Sequence, residues 1–235
     1  TGDNTSAGMQ AKHTIFQDKD WFLDGSVGLN WRQIEVNNEL AGVRGNEQFL
    51  KPSAGFVLER DDRLFSNTLA ANLETNLPDV AGTDPNGLAA LGRTTTEDRW
   101  WKLTGSMRHS FFLEPLIYGD AFDNPETPES STLAHELRLN ARGQYTFDDT
   151  RLIAQEKFIV GGMNSVRGYP QSVSSGDNGF MGSFEYRFHL PRVLPVDKDA
   201  KVELFGDNFK LQPSQVYGFP DWDLVFKVFS DYGRT

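Results

Sequence analysis

Residues 133–147, LAHELRLNARGQYTF, decide how the rest of the chain is read. Leu133, Leu137, Leu139, Ala141, Tyr145 and Phe147 fall on one face, and Glu136, Arg138, Asn140, Arg142, Gln144 and Thr146 on the other. A period of two marks a strand with one apolar and one polar face. The polar face is charged beyond what a soluble sheet needs, which suits a barrel whose outside meets lipid and whose inside is wet.

Working outward, the same rhythm recurs. Trp21, Leu23, Val27, Leu29 and Trp31 oppose Asp24, Ser26, Asn30 and Arg32. Leu50, Pro52, Ala54, Phe56 and Leu58 oppose Lys51, Ser53 and Glu59. Phe65, Leu69, Ala71 and Leu73 oppose Ser66, Thr68, Asn72 and Glu74. Trp101, Leu103, Met107 and Phe111 oppose Lys102, Thr104, Ser106 and Arg108. Downstream, Phe180, Phe184, Tyr186 and Phe188 oppose Ser183, Glu185, Arg187 and His189, and Trp222, Leu224, Phe226 and Val228 oppose Asp223, Lys227 and Asp231. That makes about seven strands, each near the ~9–11 residues that cross a bilayer at a tilt. Trp21, Trp100, Trp101, Phe147 and Trp222 stand at strand ends, where interfacial girdles place aromatics.

The fold class expected is therefore all-β, a transmembrane antiparallel β-barrel present in part. The alternative from another class is a soluble β-sandwich binding carbohydrate or protein, whose strands alternate in the same way. Residues 1–20 read as a polar loop, 78–98 as a long loop around the Asp84-Pro85-Asn86-Gly87 turn, and 114–131 and 191–221 as irregular insertions, one of which could hide a strand pair.

Bulk properties narrow the function. A net charge of −10 argues against nucleic acid and against docking on anionic lipid by charge. The absence of cysteine excludes disulfides and a thiolate nucleophile. Eighteen Phe coexist with a mean hydropathy of −0.49, as they do in a barrel with an apolar outside and a polar lumen. No apolar run is long enough for a transmembrane helix and no signal peptide is seen, so the chain reads as a piece, 1–235, of the barrel region of a longer protein.

Catalytic chemistry finds no support. His13, His109, His135 and His189 form no metal-binding pair, and neither a nucleophile elbow nor a phosphate loop occurs. Asp177-Asn178 reads as a turn before it reads as a calcium ligand. No catalytic residue, metal or cofactor is expected.

The long stretch between two of these strands, within about 148–179, is instead the functional candidate. It centres on Val166-Arg167-Gly168-Tyr169, and loops of such length are uncommon unless functional or disordered. Strand parity turns Glu185, Arg187 and Asp231 away from the aromatic face, so a loop folded against the polar face can set Arg167 against Asp231 or Glu185.

Three short motifs in this region resemble a known family. Gly161-Gly162-x-x-Ser165-Val166-Arg167-Gly168-Tyr169 is similar to the motif loop of the outer-membrane polypeptide transporters. That superfamily includes two-partner-secretion proteins of the haemolysin secretion/activation type, barrel-assembly factors and bacterial surface antigen barrels. Gly182-Ser183-Phe184-Glu185-Tyr186-Arg187 resembles its G-x-x-E-x-R strand, and Phe229-Ser230-Asp231-Tyr232-Gly233 its F-x-D-x-G strand. The resemblance implies a barrel of about 16 strands in a bacterial or organellar outer membrane. It implies periplasmic polypeptide-transport-associated domains upstream, an unfolded polypeptide as substrate, membrane lipid around the wall, and no enzymatic activity. It also implies a loop folded into the lumen, with Arg167 paired to Asp231 and with Glu185 and Arg187 beside them. Tyr169 and the Glu185-Tyr186-Arg187 run favour the secretion branch.

Overall fold

The computed structural model describes residues 2–38, 42–62, 64–91, 97–119, 133–197, 199, 201–204, 206–215 and 218–235. In chain order its strands are β1 (Gly2–Asp18), β2 (Trp21–Asn38), β3 (Val43–Asp61), β4 (Phe65–Thr75), β5 (Trp101–Phe112), β6 (His135–Thr146), β7 (Phe158–Val160), β8 (Ser174–Gly176), β9 (Gly179–His189), β10 (Lys201–Leu204), β11 (Asp207–Lys210) and β12 (Val225–Arg234). Eight of them form one sheet in the order β1-β2-β3-β4-β5-β6-β9-β12, and each neighbouring pair is antiparallel. The pairs β7-β8 and β10-β11 are separate two-stranded ribbons. A sandwich needs a second sheet packed on the first; among the described residues only these two ribbons accompany the large sheet.

The two faces of the sheet differ. One is bare and apolar: Val27, Leu29, Phe56, Leu69, Leu103, Met107, Tyr145, Phe184, Phe226 and Val228 are all exposed on it. An apolar surface of this extent is not left in water by a soluble protein. On β2 it is bounded by Trp21 and Trp31, a length that crosses a bilayer. Beyond Trp31 the same face turns polar, and there the Trp31 indole donates to Gln48 Oε1 (3.2 Å) and Gln33 Nε2 to Asn46 Oδ1 (2.9 Å). At 18 residues β2 therefore runs well past the span. The other face is polar and is covered at one end by residues 147–178.

Three expectations need correcting. Residues 2–18 are a strand, not a loop. Ala7, Met9 and Ala11 do alternate with Ser6, Gly8, Gln10 and Lys12, but two of the three apolar members are alanines, small and poor strand formers, so pairing to β2 makes the strand where propensity does not. Within 78–98 the described residues hold helical turns at Pro78–Ala81 and Pro85–Leu88 instead of plain coil, and Leu88 and Leu91 are buried against β2 and β3. The last strand starts at Val225, leaving Trp222 and Leu224 ahead of it, while the segment 191–221 contains the β10-β11 hairpin, the strand pair that one of the two insertions was expected to hide. The first part of the expected 114–131 insertion is a helical turn, Glu114–Tyr118, whose buried carboxylate accepts from the backbone N–H groups of Ala134 and His135; residues 120–132 lie outside the described residues.

Candidate functional site

The segment joining β6 to β9 carries its own ribbon, β7-β8, and its ion pairs with the polar face of the sheet concentrate at two places. The tip touches β9 and β12. Val166, buried with Phe158 and Val160 and packed by Met181, holds the backbone down. Arg167 then makes five hydrogen bonds: its N–H and Nε donate to Asp231 Oδ2 (2.9 and 2.8 Å), Nη2 to Asp231 Oδ1 (2.8 Å) and to Ser183 Oγ (2.9 Å), and Nη1 to Glu185 Oε2 (2.9 Å). The fork on Asp231 is bidentate, the geometry in which Arg outperforms Lys. The guanidinium carbon sits 3.5 Å over the Phe229 ring, so one side of its plane is sheltered by an aromatic face. Hydrogen bonding to Asp231, against a smaller opposing effect of burial, raises the Arg167 pKa further above its ordinary range. The Asp231 side chain is 3% exposed, so loss of its cation would strand a buried carboxylate.

Two glycines make this approach possible. A Cβ on Gly233 would lie 2.5 Å from Val160 and 2.8 Å from Val166, so β12 must be bare there for the loop to lie against it. Gly161 has φ +109°, and a Cβ there would meet the Pro170 carbonyl at 2.4 Å. Gly162 and Gly168 also have positive φ; Gly182, on the bare face, meets Phe180 only at ordinary contact distance. The Tyr169 ring is exposed.

From the tip, charges alternate down β9. Arg187 Nε donates to Glu185, and Arg187 Nη1 lies 3.8 Å from Glu136. Glu136 is 3.1 Å from His189 Nε2 and takes Arg138 Nε at 3.0 Å. His189 Nδ1 is 2.7 Å from Asp223, which Arg192 also reaches at 3.0 Å. His109 and His135 stand on the bare face, the second with Nδ1 2.7 Å from the Tyr186 hydroxyl. Asp177 and Asn178 act as turn residues: Asn178 Oδ1 accepts from the Thr146 N–H (2.6 Å) and Asp177 Oδ1 from the Leu152 N–H (3.1 Å). Among the described residues no cluster of His, Asp and Glu could hold a metal ion.

The second contact is one that strand parity and motifs did not signal. Glu156, at the root of the loop, accepts from Arg32 Nη1 of β2 (2.8 Å), Lys51 Nζ of β3 (2.8 Å) and Lys102 Nζ of β5 (2.5 Å). Its carbonyl accepts from Gln144 Nε2 of β6 (3.0 Å). Glu74 of β4 lies 3.6 Å from Lys51 and 3.2 Å from Lys102, and Arg32 Nε donates to Asn4 of β1 at 2.9 Å. Residues of six adjacent strands, β1 to β6, thus gather around Glu156, and three of the strands bond its carboxylate. Burial alone would push this carboxyl up, but Lys102 and Lys51 outweigh it and hold the pKa down at about 2. Next to it, Ile153 is buried with Ile34, Phe49, Leu88 and Leu91.

Between tip and wall lies an open cavity of about 430 Å³, lined among others by Arg108, Asn140, Arg142, Asn164, Arg167 and Glu185. Its lining is about equally polar and apolar, and it is not enclosed.

Residues 126–206 match the family described as haemolysin secretion/activation protein ShlB/FhaC/HecB; the match takes in the loop and β9 and ends before β12. No curated protein matches the chain. Among solved structures, CdiB from Escherichia coli aligns with a TM-score of 0.59 at 18% identity, over 80% of this chain and 31% of that one. CdiB from Acinetobacter baumannii aligns at 0.54 and 17% identity, over 80% of this chain and 29% of that one. The chain spans about a third of the length of these structures, and the likeness is one of fold. In sequence over residues 126–206 this chain is similar to the haemolysin secretion/activation proteins, and in fold over 80% of its length it is similar to CdiB, both of them two-partner-secretion outer-membrane transporters.

Proposed function

We propose that this chain forms part of the wall of an outer-membrane pore that secretes an unfolded polypeptide, and that residues 147–178 lie in the lumen as a plug element latched by Arg167. The bare apolar face is turned to lipid and the charged face to water, as the parity of a membrane barrel requires. The whole protein would carry periplasmic polypeptide-transport-associated domains ahead of this region. They would deliver the substrate to the lumenal face.

The observation that carries this reading is the fivefold grip of Arg167 on Asp231, Glu185 and Ser183. A loop residue that only needed solvent would not spend every side-chain nitrogen on two neighbouring strands. Away from bulk water such a fork is screened less than a surface pair, which makes the latch firm but breakable. The haemolysin secretion/activation match favours secretion over barrel assembly.

The test is a double-mutant cycle on secretion by the full-length protein. Arg167→Ala and Asp231→Ala are each expected to lower secreted product on the order of tenfold, and the double variant to be no worse than either. Arg167→Lys should restore little, because an ammonium cannot reproduce the fork. Strictly additive losses, or normal secretion by Arg167→Ala, would overturn the latch.

A further inference from the structure

Glu156 lies about ten residues before the Arg167 motif and shares none of its partners. It nevertheless reaches four strands, since its carboxylate takes hydrogen bonds from β2, β3 and β5 and its carbonyl takes one from β6. The Glu156 side chain is 6% exposed, and its lysine partners are 8% and 9% exposed. Three cations and two carboxylates, counting Glu74, are thus packed into a nearly dry spot. Without Glu156, Arg32, Lys51 and Lys102 would face one another with only Glu74 among them, and like charges so close repel.

We infer that Glu156 is the positioning residue of the loop root, a fixed anchor that seats the loop on the wall independently of the Arg167 latch. The hydrophobic contact of Ile153 with Ile34, Phe49, Leu88 and Leu91 lies beside it, so the root is held by charge and by packing at once. Between root and tip the chain passes through Gly161 and Gly162, both at positive φ. The tip can therefore lift while the root stays. This extends the reading of the loop as a lumenal element and rests on it.

The experiment uses the full-length protein in outer-membrane vesicles, in a cysteine-free background, with one reporter cysteine at a time. Ile153→Cys reports the root and Val166→Cys the tip; each is probed with a water-soluble maleimide. Glu156→Gln is expected to speed labelling at 153 by tenfold or more while changing labelling at 166 by less than about twofold. Arg167→Ala should do the reverse. Glu156→Asp, which keeps the charge, should label at 153 more slowly than Glu156→Gln, which keeps the shape; a residue that merely fills space would give the opposite order. Should Glu156→Gln fail to assemble, judged by heat-modifiable gel mobility, Lys51→Met and Lys102→Met weaken the same cluster singly and are expected to raise labelling at 153 to a smaller extent. Parental labelling at 153 in Glu156→Gln, or in both lysine variants, would overturn the anchor. Secretion measured in the same strains separates the two readings, because normal secretion by Arg167→Ala sinks the latch without touching the labelling result at 153.

Discussion

The two ends of the 147–178 segment are fastened in different ways. At the tip, one cation from the loop meets two carboxylates on two adjacent strands, and the side chain of Arg167 stays 24% exposed. At the root, one carboxylate from the loop meets three cations on three strands, and is almost dry. Both ends hold a nearly dry carboxylate, Asp231 at 3% exposure and Glu156 at 6%, so the difference lies in which partner the loop carries. At the tip the loop carries a partly exposed cation, which on lifting enters water and leaves the Asp231 and Glu185 carboxylates behind; at the root it carries the carboxylate, which on lifting leaves three cations facing one another. Under the proposed function this is the division a plug needs, with one end that can be released and one that cannot.

The largest expected break in that contrast comes from Gly161→Val. The substitution imposes a side chain at φ +109° and drives a Cβ toward the Pro170 carbonyl, 2.4 Å away, and toward Val173. Strain of about 1–3 kcal/mol adds to the clash. Tip labelling at Val166→Cys should rise more than tenfold, and root labelling at Ile153→Cys should stay at the parental rate. If both rise together, the two attachments act as one.

The complementary break is Ile153→Ala. Truncating a side chain buried among Ile34, Phe49, Leu88 and Leu91 is expected to cost about 2–4 kcal/mol at the root. Amide hydrogen exchange followed by mass spectrometry should show faster exchange over residues 150–157 and unchanged exchange over 164–168. Acceleration confined to the tip would mean that the root is not held by this packing.

How much of this contrast could be read in the sequence depends on how far apart the partners lie. Strands β2 to β6, β9 and β12 announced themselves because Trp, Leu, Phe and Val alternate with charges; β1 did not, because Ala7 and Ala11 carry so little apolar signal. The tip was legible through short motifs, each within a few residues, and parity alone turned Asp231 and Glu185 toward the loop. The root was not. Arg32, Lys51 and Lys102 stand 124, 105 and 54 residues from Glu156, and each by itself is an ordinary charge on the polar face of a strand. Only the register, which sets Glu74 opposite Lys102 and Asn30 opposite Lys51, brings them to one height on the wall. A glutamate in a loop that must face three such cations has no local signature.

The smallest effect, and the one that separates charge from packing at the root, is acid. Glu156 lies outside the strands, and its pKa is lowered from 4.5 to about 2 by Lys102 and Lys51. A carboxylate whose folded pKa is depressed contributes stability that is fully present above about 4.5 and is lost as the pH falls through the folded value. At pH 3.5 the root should have lost roughly 1.4 kcal/mol, about a tenfold rise in its opening equilibrium. Between pH 5 and 3.5 the proton is taken up by the carboxyl of the opened root, near its ordinary 4.5, while the seated Glu156 stays ionised against its cations. Exchange over residues 150–157, corrected for the intrinsic pH dependence of the amide, should therefore accelerate between pH 5 and 3.5 while the membrane-spanning strands remain protected. Glu156→Gln is the control: with the amide in place the root should be loose already at pH 5 and gain little on acidification. A step of the same size in Glu156→Gln would take the acid sensitivity away from Glu156 and leave the root held by Ile153 and its apolar neighbours alone.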